Sequence, residues 1–320
     1  MTWNRLREII KKHPFAYTII IGIIAGNIFI GKFFLIDAAA SLKWSIARHE
    51  YPFLDPSITF VNQKDLIVNL QPVRDYVNAI NVSLGANKMS LYIEVLNTGT
   101  NVSVNKDSKI FPASLAKLPL AIVIMKKVEN GELSLNDSVM LDATDLDPRS
   151  GNLYTSPAGT SFTIHQLLRS LLIDSDNTAQ HALLNKITPA DMQDLITETG
   201  LEDLANPQGQ ISAKEYSRFF RVLYFSSYLR LSDSEMLLGL LSKASFTDFL
   251  SQGIPASIPF AHKYGTEDQD KIYSDSGIVF VPNRPYMITV MFQGVEAEAA
   301  KTLMKSISQE AYRYISQYDH

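Results

Sequence analysis

Phe111-Pro112-Ala113-Ser114-Leu115-Ala116-Lys117-Leu118-Pro119-Leu120-Ala121-Ile122-Val123-Ile124-Met125 is the stretch that decides how this chain folds. From Leu118 onward it is apolar on every side of a helix, and a helix of that kind is buried inside a domain. Asn130-Gly131 supplies a stop signal. The pattern predicts a helix over Ser114–Glu129, with Pro119 expected to kink its second turn. Ser114 and Lys117 stand one helical turn apart, so an amine can lie beside a hydroxyl. A serine hydroxyl attacks a carbonyl poorly unless a neighbour takes its proton. A lysine whose pKa is depressed by burial can be that neighbour. The plain alternative is that Ser114 caps the helix.

One S-x-x-K match is weak, because Ser103-Val104-Asn105-Lys106 also fits. That pair lies in a predicted strand, where positions i and i+3 point to opposite faces. Two further strings follow Ser114 in order: Ser175-Asp176-Asn177 and Lys263-Tyr264-Gly265. Together the three resemble the S-x-x-K, S-D-N and K-T-G set of class A β-lactamases and penicillin-binding proteins. Tyr264 departs from the pattern, standing where the family has Thr. The resemblance to class A β-lactamase-related serine hydrolases runs from about Leu66 to Ser316.

The resemblance implies roles residue by residue. Ser114 is the nucleophile, Lys117 its base and Ser175 the proton shuttle to the leaving nitrogen. Asn177 hydrogen-bonds substrate and Lys117. Lys263 pairs with a substrate carboxylate and polarises Ser175, and Gly265 completes its string. The backbone N–H groups of Ser114 and Thr266 form the oxyanion hole. Tyr264 removes a hydroxyl that would touch the carboxylate, and is otherwise a wall residue or packing. From the residues themselves, Asp176 is expected to pin its loop through backbone hydrogen bonds. His262 is expected to be a hydrogen-bonded structural residue. The family's deacylating loop Glu has no clear counterpart, because the stretch between Asn177 and Lys263 is short. Glu202 is the nearest echo, and a solvated acidic turn explains it equally well.

Around these strings the pattern predicts an α+β fold. Strands are expected at Ser90–Leu96, Phe260–Gly265, Gly277–Val281 and Tyr286–Phe292. Helices are expected at Leu70–Val82, Thr163–Ile173, about Thr178–Lys186, Pro189–Thr199, Ser212–Leu229, Ser232–Ser245 and Glu296–Tyr318. Strands at both ends with helices between predict an antiparallel sheet built from both ends of the domain, plus an all-α lobe.

The rest of the composition narrows the class. The chain has 320 residues, a formal net charge of −4, no cysteine and six histidines. That balance argues against nucleic-acid binding, and no metal site or cofactor is expected. Phe15 to Leu35 is a nearly unbroken apolar run preceded by Arg5, Arg7, Lys11 and Lys12. It is long enough to cross a bilayer, with the basic end held in the cytoplasm. A cleaved signal ending near Ala40 is the competing reading, but the run exceeds the roughly 7–15 apolar residues of a signal core. The expected organisation is a cytoplasmic tail over 1–13, a transmembrane anchor over 14–36, a connector over 37–63 and a hydrolase domain over 64–320.

These observations lead to an exported serine hydrolase at the cell membrane, its catalytic domain outside the cytoplasm. It would form an acyl-enzyme at Ser114 with a β-lactam or a D-Ala-D-Ala-like stem peptide. A D,D-carboxypeptidase or other peptidoglycan hydrolase of the penicillin-binding-protein type is the alternative within enzymes. A noncatalytic anchored protein that binds cell-wall fragments is the alternative from another class. The oligomeric state is not written in the sequence.

Overall fold

The computed structural model describes residue 53 and residues 69–85, 88–201 and 209–316. The expected tail, anchor and connector lie outside these residues, Phe53 apart, and so does Glu202. Among the described residues no helix is long and apolar enough to cross a membrane.

In chain order the elements are α1 (Gln71–Leu84), β1 (Met89–Val95), β2 (Asn101–Val104), a 3-10 turn (Ala113–Ala116) and α2 (Lys117–Glu129). Then come β3 (Ser138–Met140), β4 (Ser161–Thr163), α3 (Ile164–Ile173), α4 (Asn177–Leu184) and α5 (Pro189–Glu198). The chain continues through α6 (Ala213–Tyr224), α7 (Leu231–Leu241), a 3-10 turn (Leu250–Gly253), β5 (Phe260–Glu267), β6 (Ile272–Val279), β7 (Tyr286–Gln293) and α8 (Ala297–Ser316).

The main sheet has five strands in the order β2-β1-β7-β6-β5. Every neighbouring pair is antiparallel, with β7 joining the N-terminal hairpin to the C-terminal strands. The two ends of the domain therefore meet in one sheet, as the α+β expectation required. Strands β1 and β6 are buried at every position. Such strands need cover on both faces. One face packs into a core with Val73 and Val77 of α1 and with Ala300, Met304, Ile307 and Ala311 of α8. The helical lobe, with α2 at its centre, covers the other. Leu118, Leu120, Ala121, Ile122, Val123, Ile124 and Met125 of α2 are all buried.

Several boundaries differ from expectation for identifiable reasons. The α-helix begins at Lys117, and Ser114 lies in the 3-10 turn before it. Pro119 thus falls in the first turn, where its missing N–H has no intrahelical partner to lose. The expected second-turn kink has no cause. Strand β6 starts at Ile272, earlier than Gly277, because Ser274, Asp275 and Ser276 are buried polar residues paired across the sheet. The β3–β4 hairpin was not anticipated, its strands being three residues each. The helix expected from Ser212 ends at Tyr224, and its start is fixed by a capping box between Ser212 and Glu215. Thr163 with Gln166 and Thr188 with Asp191 start α3 and α5 in the same way.

The turn at Leu250–Gly253 meets α8 backbone to backbone. A Cβ on Gly253 would lie 2.5 Å from both the Gln309 nitrogen and the Lys305 oxygen. Gly253→Ala should therefore destabilise the fold by roughly 1–3 kcal/mol, the usual penalty of overpacking. Chemical denaturation should show the loss, and an unchanged midpoint would refute the close packing.

Candidate active site

Three elements bring the three strings together. The 3-10 turn presents Ser114, the loop before α4 presents Ser175 and Asn177, and β5 presents Lys263. Ser114 makes no capping hydrogen bond, so the capping role falls away. Ala113 just before it has φ 48°, and Ser175 has φ 56°. Non-glycine residues in the left-handed region store strain, and such outliers gather at functional sites.

Each strained turn is held from outside. Tyr216 of α6, fully buried, donates to the Leu115 carbonyl at 2.8 Å. Gly265 lets β5 close on the Ser114 turn. A Cβ there would come within 2.8 Å of the Pro112 carbonyl oxygen and 3.0 Å of the Ser114 nitrogen. That approach puts Thr266, the next residue of β5, beside Ser114. The Ser175 loop is pinned by Asp176, whose carboxylate accepts from Ala179 N and Leu153 N at 2.8 Å each. Gly151 packs so closely on Asp176 that a Cβ would overlap its carboxylate. Asp176 is thus the structural residue the sequence suggested, and it caps α4.

Lys117 is the centre of the site. Its Nζ lies 2.8 Å from Ser114 Oγ, 2.7 Å from Asn177 Oδ1 and 3.3 Å from Ser175 Oγ. The residue is fully buried. Burial pulls its pKa from 10.5 down to about 8, although Asp176 and Asp147 oppose the shift. A neutral amine has two N–H bonds and one lone pair. Asn177 Oδ1 can only accept, so one N–H goes there. The second reaches Ser175, and the lone pair is left for the Ser114 hydroxyl proton.

Lys263 Nζ donates to Ser175 Oγ at 2.8 Å and to the Tyr264 carbonyl at 3.1 Å. Both lysines thus direct N–H groups at the Ser175 oxygen, filling its lone pairs and leaving its own proton free to be donated. Lys263 is fully buried, not an exposed edge lysine. Burial, reinforced by the Lys117 charge, holds its pKa well below the ordinary value, against the field of Asp275. The Tyr264 ring lies 4.4 Å from the Lys263 ammonium and stacks on Phe246 at 3.9 Å. Burial raises the Tyr264 phenol, with the hydroxyls of Ser175 and Ser150 pulling the other way. Tyr264 is therefore a wall of the site and a cover for Lys263. His262 Nδ1 lies 2.8 Å from Asp275 Oδ1 and its ring stacks on Phe260, which gives it the structural role expected.

Asp147 was missed by sequence reasoning. Its carboxylate receives Nε of Arg149 at 3.0 Å and faces His181 Nε2 at 3.3 Å. These contacts and the Asn177 amide hold its pKa well below the usual carboxylate range, the Arg149 guanidinium acting most strongly. Asp147 thereby orients Asn177, whose oxygen faces Lys117. Only the Asp147-Pro148 turn signal marks the place in the sequence, and turn signals carry no chemistry.

The depressed Lys117 pKa has a consequence for stability. Between pH 8 and 10.5 the unfolded chain binds more protons at this residue than the folded one, so stability rises with pH across that window. Lys117→Met should reduce the slope, leaving the part that Lys263 contributes, and stabilise the fold at pH 7 by about 1–2 kcal/mol, less than the full shift because Asn177 and Ser114 lose a partner. Denaturation at pH 7 and pH 10 measures both effects, and a Met variant weaker than the parent at pH 7 would contradict the argument.

The same arrangement of elements occurs in known proteins. The extended-spectrum beta-lactamase PER-1 of Pseudomonas aeruginosa is 24% identical over 237 residues, covering 66% of this chain and 77% of that protein. The beta-lactamase regulatory protein BlaB of Streptomyces cacaoi is 28% identical over 123 residues, 36% of this chain and 37% of its own length. A beta-lactamase structure from Sphaerobacter thermophilus superposes with a TM-score of 0.71 at 21% identity, covering 79% of this chain and 100% of that one. The structure of PBP-A gives 0.69 at 22% identity, covering 78% and 98%. A family model described as the Beta-lactamase enzyme family matches residues 72–315, and with the sheet, helical lobe and serine-centred cleft in place the chain belongs to that family.

Proposed function

We propose that this chain is an exported, membrane-anchored serine hydrolase that forms an acyl-enzyme at Ser114 with a β-lactam or a D-Ala-D-Ala-like amide. The observation that carries the reading is the buried Lys117 amine, 2.8 Å from Ser114 Oγ, with a pKa near 8. In the first step Ser114 Oγ bonds to the substrate carbonyl carbon while its proton passes to Lys117 Nζ. The carbonyl electrons move to an oxyanion held by the backbone N–H groups of Ser114 and Thr266. Collapse breaks the carbon–nitrogen bond. The leaving nitrogen takes the proton of Ser175, which recovers one from Lys117. The products are an ester at Ser114 and a free amine or opened ring.

Support comes from several directions. The family membership fits serine hydrolysis, and a PBP-A variant has been solved as an acyl-enzyme with penicillin G. The apolar run over 14–36 and its basic flank support anchoring, with the domain outside the cytoplasm. A noncatalytic binder is the second reading, favoured by the partial likeness to BlaB, a regulatory protein. Against it, a binder has no need of a buried amine with a lowered pKa beside the Ser114 hydroxyl. Among the described residues no carboxylate hydrogen-bonds Ser114, Lys117 or Ser175. Acylation is therefore better supported than deacylation, which needs a water held and deprotonated beside the ester.

Intact mass after penicillin exposure should show one adduct, on the peptide holding Ser114. Its rate should climb as pH rises toward 8, where the Lys117 amine becomes half neutral, and level off above. Lys117→Arg should be nearly inert, because guanidinium stays charged. An adduct that persists in Ser114→Ala, or a rate that ignores pH, would refute the assignment. With nitrocefin the chain should give a burst of one equivalent and then slow turnover, with Glu202→Gln changing little. Fast hydrolysis that Glu202→Gln abolishes would make Glu202 the deacylating base.

A further inference from the structure

The donors of the two buried lysines are already assigned. Lys117 Nζ faces Ser114 Oγ, Asn177 Oδ1 and Ser175 Oγ. Lys263 Nζ donates to Ser175 Oγ and to the Tyr264 carbonyl, and lies over the Tyr264 ring at 4.4 Å. An ammonium has three N–H groups, so neither lysine keeps one for a substrate anion. Both residues are fully buried. His262, the other basic side chain of β5, β6 and β7, is buried and paired with Asp275. Arg149, on the loop whose Ser150 carbonyl accepts from Asn177 N at 3.0 Å, is paired with Asp147.

The cover over Lys263 is held in place. Tyr264 stacks on Phe246 with ring centroids 3.9 Å apart and planes 15° apart. Phe246 in turn meets the buried Phe249 edge-on at 4.7 Å. Ser245, just before it, donates from its backbone N–H and its hydroxyl to the Ile173 carbonyl, at 2.9 and 3.0 Å. Ile173 ends α3, two residues before Ser175. The aromatic pair is therefore tied to the segment that carries Ser175. Burial raises the pKa of the Tyr264 phenol, which stays protonated and uncharged. Beside Ser175 the structure thus puts enclosed amines, stacked rings and a neutral phenol, and no open cation from β5.

We propose that Tyr264 selects the substrate by withholding Lys263, so that the leaving group carries no carboxylate next to the scissile bond. The matching class is an acyl amide whose leaving amine has uncharged surroundings, such as a blocked or cross-linked peptide end rather than a free C-terminus. A carboxylate brought against this wall loses water and gains no donor, which is costly. Penicillin, a free acid at this position, is then a slow acylating agent. The inference rests on acyl transfer at Ser114, in which the carbon–nitrogen bond breaks and the nitrogen leaves with the Ser175 proton. That reading is what places the leaving group beside Ser175.

Rates of adduct formation on the full chain, read by intact mass, compare benzylpenicillin with its methyl ester, which has the same ring and an uncharged carboxyl. In the parent the ester should react at least as fast as the acid. Tyr264→Thr uncovers Lys263 and should raise the acid-to-ester ratio about tenfold, the value of one charge-assisted contact. Tyr264→Phe keeps the ring and should leave the ratio unchanged. Both compounds meet the same protein, so any loss of folded material cancels from the ratio. An acid that outpaces the ester tenfold in the parent, or a ratio that Tyr264→Thr leaves unmoved, would overturn the proposal. An acid preference in the parent that Arg149→Gln removes would overturn it too, by giving the carboxylate to Arg149. Absence of any adduct would sink acyl transfer itself, and calorimetry on chains carrying Ser114→Ala then decides the cover separately. There, equal or ester-favouring affinities with Tyr264 and a tenfold shift toward the acid with Tyr264→Thr would support it. Any other pattern, no binding included, would overturn it.

Discussion

The arrangement of the site depends on one amine kept out of water. Lys117 sits at the start of a helix apolar on all sides, in the middle of the domain. Burial disfavours its charge, and three oxygens at hydrogen-bond distance give it defined partners in either protonation state. The amine is costly to bury and would be poorly tolerated as mere structure. Its position makes chemical sense because a neutral amine can take the proton of the adjacent hydroxyl.

The surrounding fold is organised to keep that amine and its partners in place. Two turns with left-handed non-glycine residues would relax if left alone. Tyr216 bonds the first, Asp176 and Gly151 brace the second, and Gly265 allows β5 to close on the Ser114 turn. Asp147 adds a further layer by fixing the Asn177 amide. The supports come from α6, from the loop before β4 and from the edge strand, so the site needs both the sheet and the helical lobe. Removing a support would loosen geometry and leave the reacting groups unchanged in kind.

The second lysine shows how context alters a motif residue. In the family pattern Lys263 would face a substrate carboxylate. Here Tyr264 covers it, and Phe246 holds the Tyr264 ring in place. The ammonium is enclosed and turned to Ser175. Arg149, a residue outside the three strings, pairs with Asp147 and keeps its guanidinium exposed.

Much of this was legible in the chain. The all-apolar stretch after Lys117, the order of the three strings and the strand–helix–strand succession specified the class of fold, because periodicity and burial are local properties of sequence. Thr163, Thr188 and Ser212 announced helix starts through their capping partners three residues on. Other features were invisible because they depend on residues far apart in the chain. Pro119 reads as a kink until the helix start shifts to Lys117. The strand expected from Gly277 begins at Ile272, because Ser274, Asp275 and Ser276 are paired between β5 and β7. Asp147 carries no signal of its own until α4 brings Asn177 and His181 against it. Sequence alone determined which groups could do the chemistry, since that is set by residue type and local spacing. Tertiary structure alone decided the protonation of those groups and their partners, because desolvation and Coulomb fields are set by what packs around a residue in space.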